Sequence, residues 1–72
     1  MDPLENLIRE ETREHITGAI RLLPETERLI FRMRSVEGFS ESDTAACTML
    51  STGKVRRALA RANALLRQRL VR

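Results

Sequence analysis

Apolar residues recur at spacings of three and four along most of this chain, the period of a helix with one buried face. Leu4, Leu7, Ile8, Ile16, Ala19, Ile20 and Leu23, with His15 in step, predict a first helix over about residues 3–22. Asp2 and Pro3 suit its N-cap and first helical position. Glu10, Glu11 and Glu14 fall off the stripe, toward solvent. Gly18 weakens this helix unless it allows a close approach. Pro24 disfavours helical geometry at Leu23 and can itself open the next helix, whose first turn carries Glu25 and Glu27. Leu29, Ile30, Met33 and Val36 form the predicted buried stripe of that second helix, with Phe31 beside it, and Gly38 ends it as a C′ residue.

Ser40, with Asp43 three residues on, resembles a capping box that opens a short third helix over about 41–48. This helix carries Thr44, Ala45, Cys47 and Thr48. A tight turn follows around Thr48 to Ser51. Ser51 is the next N-cap, and the last helix runs from about 52 to 70. No stretch alternates over the length that a strand needs. The reading is an all-α, four-helix domain with a C-terminal helix-turn-helix. Residues 1–22 form a linker and first helix, and residues 23–72 form the helix-turn-helix unit of one compact domain. At 72 residues the core is small, so regular helix packing or a partner must support it.

Charge changes the picture. Residues 1–43 hold ten acids and six bases, whereas residues 44–72 hold seven bases and no acid. Such asymmetry points to an anionic partner for the C-terminal part, a solvated basic face being the alternative. At about 100° per residue, Val55, Leu59, Ala62, Leu66 and Leu70 share one face of the last helix. Arg57, Arg61 and Lys54 cluster on the far side and Arg56 flanks them, with the small Ala58, Ala60 and Ala64 among these positions. A helix that packs by one face and presents arginines on a slim opposite face suits the DNA major groove. There, guanidinium groups reach guanine in pairs or grip phosphates. Phe31 and Phe39 are the only aromatic residues, too few for a base-stacking platform, which favours duplex DNA over single strands or RNA.

Little else suggests chemistry. The single Cys47 excludes an internal disulfide and a cysteine-rich zinc site, and is expected to be a small buried hydrophobe. His15 lacks a second strong metal ligand. Ser40 and Ser51 read as caps rather than nucleophiles, having no base at motif distance. The sequence therefore predicts no enzyme, no metal, no cofactor and no small-molecule substrate. There is no apolar run of about 20 residues for a membrane span and no signal-peptide pattern, and a reducing, cytoplasmic setting is expected.

The stretch LLPETERLIFRMRSVEGFSESDTA, Leu22 to Ala45, together with STGKVRRALARANALLRQRL, Ser51 to Leu70, resembles region four of extracytoplasmic-function sigma factors of bacterial RNA polymerase. The Leu-Pro-Glu opening, the Glu37-Gly38-Phe39-Ser40 segment and the Ser-x-Gly-x-Val-Arg stretch keep the family's order without a gap from Leu23 to Leu70. The resemblance implies binding of double-stranded promoter DNA at the −35 element, docking on the β-subunit flap of RNA polymerase, and sequestration by an anti-sigma factor. It implies base contacts from Arg57, Arg61 and Lys54. Phosphate contacts would come from Arg56 and Arg34, from the helix start at Ser40, Glu41 and Ser42, and from Ser51 and Thr52. The chain departs from the family pattern at several positions. Met49 stands where the turn usually has glycine or a small polar residue, Glu41 replaces a common aromatic and would repel a phosphate, Arg57 and Ala58 are swapped in order, and Ala60 replaces a larger residue.

Two other readings stay open. One is a sigma-like protein-interaction module that binds an anti-sigma factor or the polymerase without touching DNA. The other is a helix-turn-helix of the response-regulator kind, to which Lys54-Val55 fits less well.

Overall fold

The computed structural model describes residues 13–70, all helix and short connections with no strand among them. The expectations for Asp2, Pro3, Leu4, Leu7, Ile8, Glu10 and Glu11 lie outside the described residues. Residues 13–21 form α1. Its end is closed by Leu22 N–H to the Ala19 carbonyl at 3.2 Å and Leu23 N–H to the Ile20 carbonyl at 3.1 Å. The Arg28 guanidinium donates to the Arg21 carbonyl at 3.3 Å, a cation on a helix C-terminus. Pro24, in extended geometry, is the N-cap of α2, Glu25–Phe31, and its carbonyl accepts the first helical bond, from Arg28 N–H at 2.8 Å.

The second helix does not continue as one α-helix. After Phe31 it widens into a π turn, Arg32–Val36, closed by Glu37 N–H to the Arg32 carbonyl at 2.8 Å. Gly38 then takes a left-handed φ of 79°, and Phe39 N–H reaches back to the Met33 carbonyl at 2.8 Å. Glycine ends the helix as its lack of a Cβ allows.

The third helix, α3, spans Glu41–Thr48, and the fourth, α4, spans Thr52–Leu70, both as the caps predicted. Ser40 Oγ accepts Asp43 N–H at 3.0 Å, and Ser51 Oγ accepts Lys54 N–H at 3.2 Å. Between the two helices, Met49 adopts φ 60°, the left-handed region, with 93% of its surface exposed. A side chain with a Cβ is strained there, and Met49 gains almost no packing in return. Met49→Gly is therefore expected to raise stability by about 1 kcal/mol, an upward shift of roughly 4–8 °C in the thermal midpoint of a domain this small. An unchanged or lower midpoint would show that the turn carries no such strain.

Helix α4 is the spine on which the rest is hung. Its first half packs Val55 and Ala58 against Ile30 of α2 and Ala45 of α3, with Leu50 and Leu59 at the margin. Its second half packs Ala62 and Leu66 against Ala19 and Leu23, with Ile20, Phe31, Leu65 and Leu70 around them. Helix α1 is thus seated on the domain by its last turn.

Several expectations about burial are corrected. The buried face of α4 is Val55, Ala58, Ala62 and Leu66, so Ala58, expected among the outward positions, is 1% exposed. Leu59 and Leu70 are only half-buried. The face is turned toward Ala58 because α2 lies along that side, and small residues let two helices approach. Leu29 and Val36, expected in the stripe of the second helix, are 49% and 63% exposed. The π turn advances fewer degrees per residue than an α-helix, so Val36 no longer comes round to the side of Met33. Leu29 lies off the arc of Leu23, Glu27 and Ile30. In α1, His15 and Ile16 are exposed, and His15 shares a surface pocket with Arg69 of α4. Cys47 is exposed, not buried. The inward arc of α3 runs through Thr44, Ala45 and the half-buried Thr48, and Cys47 lies roughly a third of a turn from it. Thr44 is fully buried instead, its hydroxyl satisfied by the Ser40 carbonyl at 2.8 Å. Gly18 makes no close approach, since a Cβ there would meet nothing within 4 Å.

Candidate nucleic-acid interface

The short helix, the left-handed turn at Met49 and the longer basic helix set α3 and α4 at a fixed angle over Ile30, Ala45 and Val55, all buried. Two groups of predicted site residues lie on this helix pair and on the turn before it.

The first group is Lys54, Arg57 and Arg61. All three are exposed and line one groove of about 560 Å³, whose other wall includes Thr26 of α2 and Leu50 of the turn. Among the described residues, neither Lys54 nor Arg57 is in an ion pair. The Arg57 guanidinium lies back along the helix toward Gly53, 3.8 Å from where a Cβ at that position would stand. Arg61 differs. Its Nε lies 3.4 Å from Glu27 Oε1, and Glu27 is almost wholly buried. A mostly buried carboxylate needs a cation nearby, so Arg61 bridges α4 to α2 while 68% of its side chain remains in solvent.

The second group surrounds the start of α3. Arg56 holds Glu41 with two contacts, Nη2 to Oε1 at 2.8 Å and Nε to Oε2 at 3.4 Å. Arg34 donates Nη1 to the Phe39 carbonyl at 2.6 Å, which anchors it beside the same turn. The hydrogen bond from Arg56 holds the Glu41 carboxyl below its ordinary range, against a partial desolvation that acts the other way; the charges of Arg56 and Arg34 add to the lowering. The same bond raises Arg56 above its ordinary value. A lowered carboxylate stabilises the fold fully above its unfolded pKa, and that contribution is lost as pH falls through the lowered folded value. Ser42 and Thr52 are exposed at the starts of α3 and α4, while the Ser40 and Ser51 hydroxyls are engaged as caps.

The predicted residues thus fall into two clusters, one along the groove between α2 and α4 and one around the starts of α3 and α4. Two participants were missed from sequence, Glu27 and the Phe39 carbonyl. Glu27 did leave a signal: it sits four residues after Leu23 and three before Ile30, an acid in step with an apolar stripe. The Phe39 carbonyl left none, because its position depends on the π turn and Gly38.

Among the described residues, no helix is long and apolar enough to cross a membrane, and no three His, Cys, Asp or Glu side chains are grouped as a metal site would require. No curated protein matches the chain. A family model described as "Sigma-70, region 4" matches residues 13–66, well over half of the chain. The matched span runs from α1 through both halves of the helix-turn-helix, including Lys54, Arg57 and Arg61, and on this match the chain belongs to the sigma-70 region 4 family.

Proposed function

We propose that this domain reads the −35 element of promoters as part of an extracytoplasmic-function sigma factor, with the first turns of α4 in the major groove of duplex DNA. The observation that carries this reading is the placement of Lys54 and Arg57. Both are exposed and line the groove beside α2, Arg57 on the far side of α4 from Val55 and Ala62 and Lys54 on its flank, without an ion-pair partner among the described residues. Long cations on a rigidly packed helix can meet guanine O6 and N7 or phosphates with little loss of order. Arg61 would reach DNA only at the cost of its contact with Glu27, so it ranks behind Arg57 as a base reader. Arg56, Arg34 and the starts of α3 and α4 at Ser40, Glu41, Ser42, Ser51 and Thr52 form the phosphate-facing border. The setting is cytoplasmic, residues 1–22 act as linker and first helix to the unit of 23–72, and catalysis has no part in the function.

Binding to a promoter-derived or selected duplex should weaken steeply between about 50 and 200 mM salt, as counterion release requires. Anisotropy titrations over that range test it. Absence of duplex binding even at the lowest salt would remove the reading.

A protein-contact role is favoured by a separate observation. Leu22, Leu29 and Val36 are 63%, 49% and 63% exposed, an apolar set on α2 and its flanks. Exposed apolar side chains of this kind suit contact with the β-subunit flap of RNA polymerase or an anti-sigma factor, and none of the three lines the Lys54–Arg57 groove. A pull-down that recovers polymerase but no promoter fragment would favour this role over DNA reading.

A further inference from the structure

The start of α3 is where a helix-turn-helix would meet DNA backbone, and it already holds an anion. The first N–H groups of a helix have no partner within it, and Ser40 Oγ here satisfies one of them, that of Asp43. Beside that turn stands the Glu41 carboxylate. Its two oxygens face Nη2 and Nε of Arg56 at 2.8 and 3.4 Å, the paired contact that a phosphate would also offer a guanidinium. Arg56 belongs to α4, fifteen residues on, so the pair spans both helices of the motif. Arg34, fixed by its 2.6 Å bond to the Phe39 carbonyl, adds a second cation to the same corner.

We infer that the Glu41 carboxylate is a built-in competitor for DNA phosphate: it occupies Arg56 in the free protein, and a duplex must displace it before Arg56 can grip the backbone. The inference rests on the duplex-binding reading above. While Glu41 keeps Arg56, that cation neutralises no phosphate and adds almost nothing to counterion release. Loose, backbone-only complexes gain nothing from Arg56, whereas Arg57 and Lys54, which face the groove, keep their contacts with bases. Glu41 in this sense lowers affinity for any duplex, through a phosphate contact that carries no sequence information.

The test uses the full chain and a short mixed-sequence duplex, with a selected duplex in parallel, titrated by anisotropy between about 50 and 200 mM salt. Glu41→Gln is expected to bind the mixed-sequence duplex about 3- to 10-fold more tightly, with a salt slope steeper by about 0.9, one further phosphate. The selected duplex should gain by a similar factor. Arg56→Ala in the Glu41→Gln background should abolish the gain. Asp43→Asn makes the same charge change in the same turn, and Asp43 is in no ion pair among the described residues, so it should give much less. If Glu41→Gln binds no more tightly than the parent, or its gain survives Arg56→Ala, or Asp43→Asn matches it, the inference is overturned while the duplex reading stands. If none of these proteins binds any duplex at the lowest salt although circular dichroism shows them folded, both fall together.

Discussion

Replacing Ile30 by alanine is expected to destabilise the domain by about 2–5 kcal/mol. Ile30 is fully buried where α2, α3 and α4 meet, against Ala45, Val55 and Ala58. The three residues packed on it are small or β-branched, so little can move in to fill the space left by the three carbons removed. A chain of this length has a total stability of only about 4–11 kcal/mol, and the substitution removes a large part of it. Leu29→Ala is the control. The neighbouring leucine is 49% exposed and should cost less than about 1 kcal/mol. Urea unfolding followed by circular dichroism separates the two. Similar losses at both positions would mean that α2 does not present Ile30 inward as described.

The second large effect is expected at Arg57, and in binding rather than stability. Arg57→Ala should reduce discrimination between a selected duplex and its single-base variants by about 1–3 kcal/mol while leaving the thermal midpoint unchanged. Arg61→Ala should do the reverse. Its guanidinium is the cation beside the nearly buried Glu27, and losing it leaves that carboxylate without a partner. The expected loss is about 1–2 kcal/mol of stability, between the values for exposed and buried pairs, because Arg61 itself is largely in solvent. Adding Glu27→Gln to Arg61→Ala should recover part of it. Should Arg57→Ala discriminate between duplexes as well as the parent does, Arg57 is not a base reader. Should Arg61→Ala keep full stability, the bridge from α4 to α2 contributes nothing.

These predictions divide residues that the sequence treats alike. Arg57 and Arg61 fall on the same polar side of a helical wheel, and so does Lys54. Their separation into two unpaired cations and one engaged in an ion pair depends on Glu27, which comes from another helix. The expected burial of Cys47 failed for the same kind of reason: its small, apolar character says that it can be buried, not that a neighbour will cover it. Val36 was misplaced because a π turn intervened, and nothing in Arg32 to Val36 announces the change of pitch.

What the amino-acid sequence determined by itself is the succession of helices and their ends. Pro24, Gly38, Ser40 and Ser51 act within a few residues of themselves, through fixed φ, a missing Cβ or a hydroxyl placed to accept a nearby N–H, and so their effects can be read locally. The tertiary structure alone decided which arc of each helix is covered and which charges meet. The turn of the α4 core toward Ala58, the seating of α1 through Ala19, and the pairs Glu27–Arg61 and Glu41–Arg56 all join residues far apart in the chain. Burial and ion pairing depend on distances between helices. Those distances follow from how side chains of different helices fill one small core, which no single helix specifies alone.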